Sequence, residues 1–453
     1  MKKVRKWIIL TMCTSCGYNV NAQDSLPSVW NLRTCIDYAL QNSLTIQQDE
    51  LQVRNAEIEV MSSKAALFPS LAANIGQRIV NRPNSKSSTL IDGDNITTSE
   101  SKTSYNGSYG IDANWILFNG GKRLNTIKQQ RINQHISELN LEESRQALTE
   151  DIIQTYLQIL YATESIHINE QTLQVSEEQY NRGKVLKEAG SLSVSDLAQL
   201  KSQVSTDRYI LVNSQTSLQD YKLQLKQLLE IQSTEEMVLS PTVPAEIDIL
   251  APLPDLIQAY QKAAMLRPKI LAERKNVESA QLGVKIAKAG YLPSLSLSAG
   301  IGTSHANGND FRFSEQIKQN WNNSLGLSVS IPIFNNRQTK SAVQKAHIEK
   351  LGAELQLKEE EKQLYKTIET LWYDVRKAQQ QYTAAKEKQE SALASYQLIN
   401  EQFNLGMKNT IELLTEKNNL ASACQEMLQA KYMALLSSIL LDYYQGMEDF
   451  QDL

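Results

Sequence analysis

The sequence predicts a mainly α chain, written twice, in which very long coiled-coil helices alternate with four β-strands that cross a membrane. Three observations predict it. Landmark motifs recur at a nearly constant separation, apolar residues recur every seven positions over long stretches, and four segments alternate between apolar and small polar residues. The 453 residues carry 46 Lys+Arg against 50 Asp+Glu, a formal charge of −4. That balance excludes the basic stripe of a nucleic-acid binder. No stretch after the N-terminus reaches the ~20 apolar residues of a transmembrane helix. The nearest, Met433 to Leu441, is interrupted by Ser437 and Ser438.

The first element is an export signal. Lys2, Lys3, Arg5 and Lys6 precede a short apolar run from Trp7 to Cys13, and small or polar residues follow. The preferred cleavage site is Val20-Asn21-Ala22. A lipoprotein cut before Cys16 is the alternative, with Cys13 a poor residue for its −3 position. Removal of residues 1–22 takes the net charge from −4 to −8 and leaves Cys35 and Cys424. One such pair could form a disulfide, but two unpaired thiols are the preferred reading.

The duplication follows. Phe68-Pro69-Ser70-Leu71 recurs as Leu292-Pro293-Ser294-Leu295, and Ile116-Leu117-Phe118-Asn119 as Pro332-Ile333-Phe334-Asn335. Tyr180-Asn181-Arg182-Gly183 is matched with Phe403-Asn404-Leu405-Gly406. The three landmarks keep one order, and their separations differ only by short loop insertions. The division is therefore 23–232 for the first repeat, 233–254 for a linker with four prolines, and 255–453 for the second. Each repeat opens with one helix of over thirty residues, around Arg33–Leu67 and Asp255–Tyr291. Two strands and two very long helices follow. Ile152, Ile159, Ile166, Leu173 and Tyr180 recur every seven residues, as do Ile368, Val375, Tyr382, Gln389, Tyr396 and Phe403. Such a heptad packs helices side by side, and the small Ala162 and Ser176 allow close approach. Gly183 and Gly406 are expected to end the first long helix of each pair, with restarts near Ser193–Asp196 and Asn409–Thr410.

The strands alternate. Tyr105, Gly107, Tyr109, Ile111, Ala113, Trp115 and Leu117 share one face, and Asn106, Ser108, Gly110, Asp112 and Asn114 the other. The fourth strand, Asn322 to Ile333, is as regular. A soluble sandwich also alternates. The length of ten or more residues, the small polar second face, and aromatics toward strand ends favour a membrane barrel. Tyr105, Tyr109, Trp115 and Trp321 are the candidate girdle. Four strands cannot close a barrel, and open edges are not tolerated in lipid. The chain must therefore assemble with itself. Two copies give a plugged barrel and three give room for a channel.

The duplicated Pro-Ser-Leu strand starts, the Phe-Asn-Gly-Gly and Phe-Asn-Asn-Arg strand exits, and the aromatic-x-x-Gly turns with Asp196 and Glu412 beyond them resemble the TolC-type outer-membrane efflux family. The resemblance covers essentially the whole mature chain. It implies a homotrimer with a 12-stranded outer-membrane barrel and a periplasmic α-barrel. It also implies passive export with a periplasmic adaptor and an inner-membrane RND pump or ABC exporter, in efflux or type I secretion. It assigns adaptor contact to Arg182-Gly183-Lys184 and Leu405-Gly406-Met407. Arg182, Lys184 and seven extra residues after Gly183 depart from the family pattern, so Gly406 is the firmer contact. Glu412 stands at an acidic position that narrows the periplasmic mouth, Asp196 is its first-half counterpart, and Thr415 replaces a second acid.

No catalytic, cofactor or metal site declares itself. His135, His167, His305 and His347 are scattered without a ligand partner at i+4. Glu359-Glu360-Glu361 reads as a solvated helix face. A periplasmic coiled-coil scaffold is the competing reading; it explains the heptads but not the strands.

Overall fold

The structure is a computed structural model that describes residues 29–81, 83, 88–92, 95–99, 103–232, 237–240, 249–307 and 311–447. The export signal, with Ala22 and Cys16, lies outside them, as do 233–236 and 241–248 of the linker.

Each repeat begins with two helices where the sequence predicts one. In the first repeat α1 spans Leu32–Asn42 and α2 Leu44–Ala65; the break is at Ser43, whose side chain caps Ile46 N–H. In the second repeat the break is at Arg267. Pro268 follows it, and a proline ring disfavours the helical conformation of the residue before it. Helix α1 is itself capped by Asn31, which accepts from Thr34 N–H at 2.7 Å.

Strands β1 (Ser70–Asn81), β2 (Ser88–Asp92), β3 (Asn95–Ser99) and β4 (Thr103–Asn119) follow. β2 and β3 pair only with each other, beyond the outer ends of β1 and β4. Helices α3 (Lys122–Glu188) and α4 (Val194–Leu228) complete the first repeat. The second repeat contains α5 (Leu256–Leu266), α6 (Pro268–Lys288), β5 (Ser294–Ala306), the short α7 (Phe313–Gln319), β6 (Asn322–Ser330), α8 (Gln338–Asn404) and α9 (Thr410–Tyr444). β6 ends before Pro332, which has no N–H for a ladder.

One antiparallel sheet runs β1-β4-β5-β6, and its register sorts the faces as the alternation predicts. Rows such as Leu71–Ala113–Ala299–Leu325 and Ala73–Ile111–Ile301 are apolar; Asn74–Gly110–Gly302–Asn322 and Ala72–Asp112–Gly300–Ser324 are small and polar. Gln77 interrupts the apolar face, and its amide donates to Tyr109 Oη at 2.6 Å.

The helical pairs match to the residue. α3 and α8 each have 67 residues, and α4 and α9 each have 35. The interval from the start of α3 at Lys122 to that of α8 at Gln338 equals the interval from Val194 of α4 to Thr410 of α9. A 67-residue helix is about 100 Å long at ~1.5 Å per residue, so the object is elongated. This constant separation corrects the match of Gly183 with Gly406. Gly183 is buried inside α3, and a Cβ there would stand 2.6 Å from Leu200 Cδ1. It belongs to a stripe of Ala162, Asn169, Ser176 and Gly183, buried and seven residues apart, which lets α4 and α9 approach α3. The first turn is made by Gly190 instead.

The main core lies midway, where Ile152, Ile153, Tyr156, Ile159 and Leu160 of α3 meet Leu428, Tyr432, Leu435 and Ile439 of α9. The linker is strapped across it. Leu239 bridges to Trp30, and Tyr156 donates to Ser240 C=O at 3.1 Å. Trp372 of α8 donates to Pro254 C=O at 2.8 Å. Cys35 is buried there, and burial pushes its thiol up to about 12; Cys424 is also free.

Candidate functional site

Two places in the fold have something to do beyond holding it together: the tips of the helical hairpins and the open edges of the sheet and helix layer.

The tips are built alike. At Gly406 (φ +74°) Met407 N–H reaches Gln402 C=O and Gly406 N–H reaches Phe403 C=O, at 2.9 and 3.0 Å. At Gly190 (φ +76°) Ser191 N–H reaches Leu186 C=O and Gly190 N–H reaches Lys187 C=O, at 2.8 and 3.0 Å. Both are glycine turns that satisfy the last carbonyls of a helix. Three residues on, Ser193 and Asn409 cap the next helices, accepting from Asp196 N–H and Glu412 N–H. Leu405 and Met407 stand exposed on either side of Gly406. Ala189 and Ser191 flank Gly190 in the same way. Arg182 and Lys184 lie a heptad back, on the exposed side of α3, so the first tip is Ala189-Gly190-Ser191 and not Arg182-Gly183-Lys184.

Asp196 and Glu412 occupy equivalent first-turn positions, each the third residue of its helix. Glu412 closes a capping box with Asn409 and receives Lys408 Nζ at 2.6 Å. That hydrogen bond, then the one from the Asn409 backbone, holds its carboxyl below the usual carboxylate range. Lys408 has no counterpart in the sequence reading, although its i,i+4 spacing to Glu412 was visible. Asp196 accepts from Ser193 Oγ at 2.6 Å. Thr415 turns its hydroxyl back onto Ile411 C=O at 2.8 Å.

Three of the four candidate girdle residues fall at the two ends of the sheet. Tyr105 and Trp321 stand at the loop end of the sheet. Trp115 is near the helix end, where its Nε1 donates to Leu67 C=O at 2.8 Å. Tyr109 lies between, stacked on His305 at 5.9 Å. Among the described residues no group of His, Cys, Asp and Glu could hold a metal, and no helix is long and apolar enough to cross a membrane.

The edges coincide. Strands run β1-β4-β5-β6 and the helices continuing them run α2-α3-α6-α8, so β1 and α2 form one open edge, β6 and α8 the other. Ile58 on α2 is 55% exposed, whereas Leu282, its equivalent on α6, is 8% exposed against α3. Ile348 and Leu355 on α8 are 68% and 66% exposed, while their equivalents Ile132 and Leu139 on α3 are half-buried. The open edges thus carry the apolar residues that the internal α3–α6 seam covers.

A chain with a two-faced sheet, unclosed edges and duplicated long hairpins is one segment of a larger barrel. A family model described as outer membrane efflux protein matches residues 35–230 and 259–446, and the chain belongs to that family, of the TolC type. It is 22% identical to the outer membrane efflux protein BepC of Brucella suis over 74% of this chain and 71% of that one. It is 21% identical to TolC of Escherichia coli over 70% and 65%, and 23% identical to the cation efflux system protein CusC of Escherichia coli O157:H7 over 90% and 84%. Among solved structures, VceC of Vibrio cholerae superposes with a TM-score of 0.77 at 16% identity, covering 92% and 96% of the two chains. A CusC structure superposes at 0.74 with 20% identity, covering 91% of each. The protein is accordingly an outer-membrane channel protein with a periplasmic helical extension.

Proposed function

We propose that three copies close head to tail into one duct. Four strands from each make a 12-stranded barrel, and the helices continue it as a hollow cylinder through the periplasm. The single observation that carries this is the matched pair of edges: one rotation that lays α8 on the next copy's α2 also pairs β6 with the next β1. The duct releases cargo passively, delivered by an inner-membrane pump of the RND type or by an ABC exporter through a periplasmic adaptor. The relatives' printed names, efflux proteins among them, support export. Drug-type efflux and type I secretion are both compatible with a polar, unselective lumen of Ser, Asn and Gly.

The tips carry the remaining roles. Leu405, Gly406 and Met407 meet the adaptor: exposed apolar side chains flank a glycine that admits a close backbone. Ala189, Gly190 and Ser191 are the weaker equivalent. Glu412 and Asp196, three of each around the axis, form the acidic mouth, with Thr415 neutral where a lower ring would stand. Outer-membrane lipid covers the apolar face of the sheet, bounded by Tyr105 and Trp321 at one end and Trp115 at the other, with Tyr109 between. A periplasmic scaffold would leave the two-faced strands without a purpose. The test is light-scattering mass and planar-bilayer conductance of the detergent-purified protein. Trimers that conduct support the reading, and a folded, membrane-inserted monomer sinks it.

A further inference from the structure

At the loop end of the sheet, the face that is apolar elsewhere carries a polar notch. Gln77 of β1, Gly107 and Tyr109 of β4 and His305 of β5 share that face, and both Gln77 and His305 pair directly with Gly107. A Cβ at position 107 would collide with the His305 ring and stand 2.9 Å from Gln77 Nε2, so the glycine is what lets the amide and the imidazole converge. Beside the notch lies α7, at the loop position that β2 and β3 take in the first repeat. Thr303 Oγ1 donates to Ile317 C=O at 2.7 Å, and Phe313 meets the His305 ring edge-to-face at 4.9 Å, so α7 sits on the same face as the notch. The buried Gln316 accepts from Ala306 N–H at 2.9 Å, and Asn320 donates to Ser304 C=O at 2.7 Å, which fixes the helix to the end of β5.

Around the notch the surface carries aromatic rings and cations. Phe311, Phe313 and Trp321 are each more than half exposed. Arg312 and Lys318 are exposed, and neither is in an ion pair among the described residues. Glu315 turns its carboxylate back to the Arg312 backbone N–H at 3.2 Å. Ten residues separate Leu295, where the apolar face of β5 begins, from His305. That is about 33 Å along a strand at ~3.3 Å per residue, and about 25 Å along the membrane normal at a tilt of ~40°. The apolar band of a membrane barrel is about 25 Å tall, so the notch and α7 stand where hydrocarbon gives way to headgroups. Helices α3 and α8 leave the other end of the sheet toward the periplasm, which makes this the outer leaflet.

We propose that this corner binds the phosphorylated glycolipid of the outer leaflet, one site per copy. Arg312 and Lys318 hold its phosphate, Gln77 and His305 hydrogen-bond its sugar hydroxyls, and the exposed aromatic rings lie along the upper part of its acyl chains. The inference rests on lipid covering the apolar face of the sheet, and the experiment separates the two. Diphosphoryl lipid A, lipid A stripped of its phosphates, and phosphatidylglycerol are each titrated into the purified full-length protein in detergent. Native mass spectrometry counts the molecules held per complex. Diphosphoryl lipid A should bind about tenfold more tightly than either of the others. Arg312→Gln with Lys318→Gln should lower its affinity by about tenfold or more, the scale expected for two surface cations on an anionic lipid. Gln77→Leu with His305→Leu should bring it toward that of phosphatidylglycerol. Arg78→Gln removes an exposed charge from the small polar face of the same sheet and should leave binding unchanged. Equal binding of the phosphate-free lipid or of phosphatidylglycerol overturns the inference. So does wild-type affinity in either double variant, or an equal loss in Arg78→Gln. In each of these cases insertion into planar bilayers leaves the lipid-covered face standing. A wild-type protein that neither inserts into bilayers nor holds any of the three lipids removes that face, and the inference falls with it.

Discussion

Arg123 and Thr339 stand at the same point of the two repeats and close the same corner by different chemistry. The Arg123 guanidinium donates to Ala66 C=O, just past the end of α2, and to Ile116 C=O of β4. Thr339 Oγ1 donates to Gly290 C=O at 3.3 Å, and Gly290 is the equivalent of Ala66. In both repeats the start of the long helix is thereby tied to the end of the short one, across the strands that cross the membrane.

That asymmetry has a measurable consequence. Arg123→Ala removes two charge-assisted bonds, whereas Thr339→Val removes two neutral ones, to Gly290 C=O and from Asn335 Nδ2. Hydrogen bonds to charged groups contribute about 1.5–3 kcal/mol and neutral ones about 1 kcal/mol. The first variant should lose about twice as much stability as the second in a denaturant titration of the solubilised protein. Equal losses would mean that the corner is held by packing.

The repeat also fixes the register expected between copies. Inside the chain Ala113 pairs with Ala299 across β4 and β5. In the other repeat Val329 of β6 is the equivalent of Ala113, and Ile75 of β1 is the equivalent of Ala299. Val329→Cys with Ile75→Cys should therefore oxidise to covalent trimers on a denaturing gel, because directly opposed residues bring their Cβ atoms within reach of a disulfide. Val329→Cys with Ala73→Cys, one pleat out of step, should not. Efficient linkage of the second pair alone would put the sheet edges in another register.

Much of this architecture was legible in the sequence, and the exceptions have physical reasons. The strand faces, the long helices and the turn at Gly406 follow from period and glycine placement. The first turn is read a heptad early, at Gly183, because a shift of seven residues leaves every heptad face unchanged. The missing discriminator is the pairing of a glycine with a cap three residues later, Gly190 with Ser193 and Gly406 with Asn409. The breaks at Ser43 and Arg267 were masked by continuous helical patterning on both sides. Ser176 is legible as a small residue of a helix seam, but nothing in the pattern singles out Lys417 or Asp207, and only the fold brings the three together over 210 and 241 positions.

Lys417 Nζ of α9 donates to Asp207 of α4 and to Ser176 of α3, and the two charged side chains are each only 4% exposed, which predicts a sharp contrast among variants. Lys417→Met or Asp207→Leu alone leaves an unpaired charge inside the seam, and breaking such a pair costs about 3–5 kcal/mol. Lys417→Met with Asp207→Leu together should recover most of that loss, since an apolar replacement of the whole pair is close to neutral. Denaturant midpoints of the three variants decide it. A double variant as unstable as the sum of the singles would show that the two side chains are not coupled and that other contacts hold the seam.

Glu412 supplies the last prediction, through Lys408. The hydrogen bond from Lys408 lowers the carboxyl's pKa, so the charged form is the one favoured in the folded hairpin. A depressed carboxyl keeps its charge as pH falls through the ordinary carboxylate range, and loses it only below that range. If three Glu412 side chains line the mouth, block by a multivalent cation such as hexamminecobalt should persist to below the ordinary glutamate pKa and then disappear. Lys408→Met has two separable effects. It removes a positive neighbour, which should tighten block at neutral pH. It also removes the partner that depresses the pKa, which should move the loss of block to higher pH. Glu412→Gln should abolish most of the block at every pH, Asp196→Asn should weaken it less, and Thr415→Asp should tighten it by adding the lower ring. Single-channel recordings across pH measure all four. Wild-type block in Glu412→Gln, in channels that still assemble and conduct, would move the mouth's acidic ring to other residues.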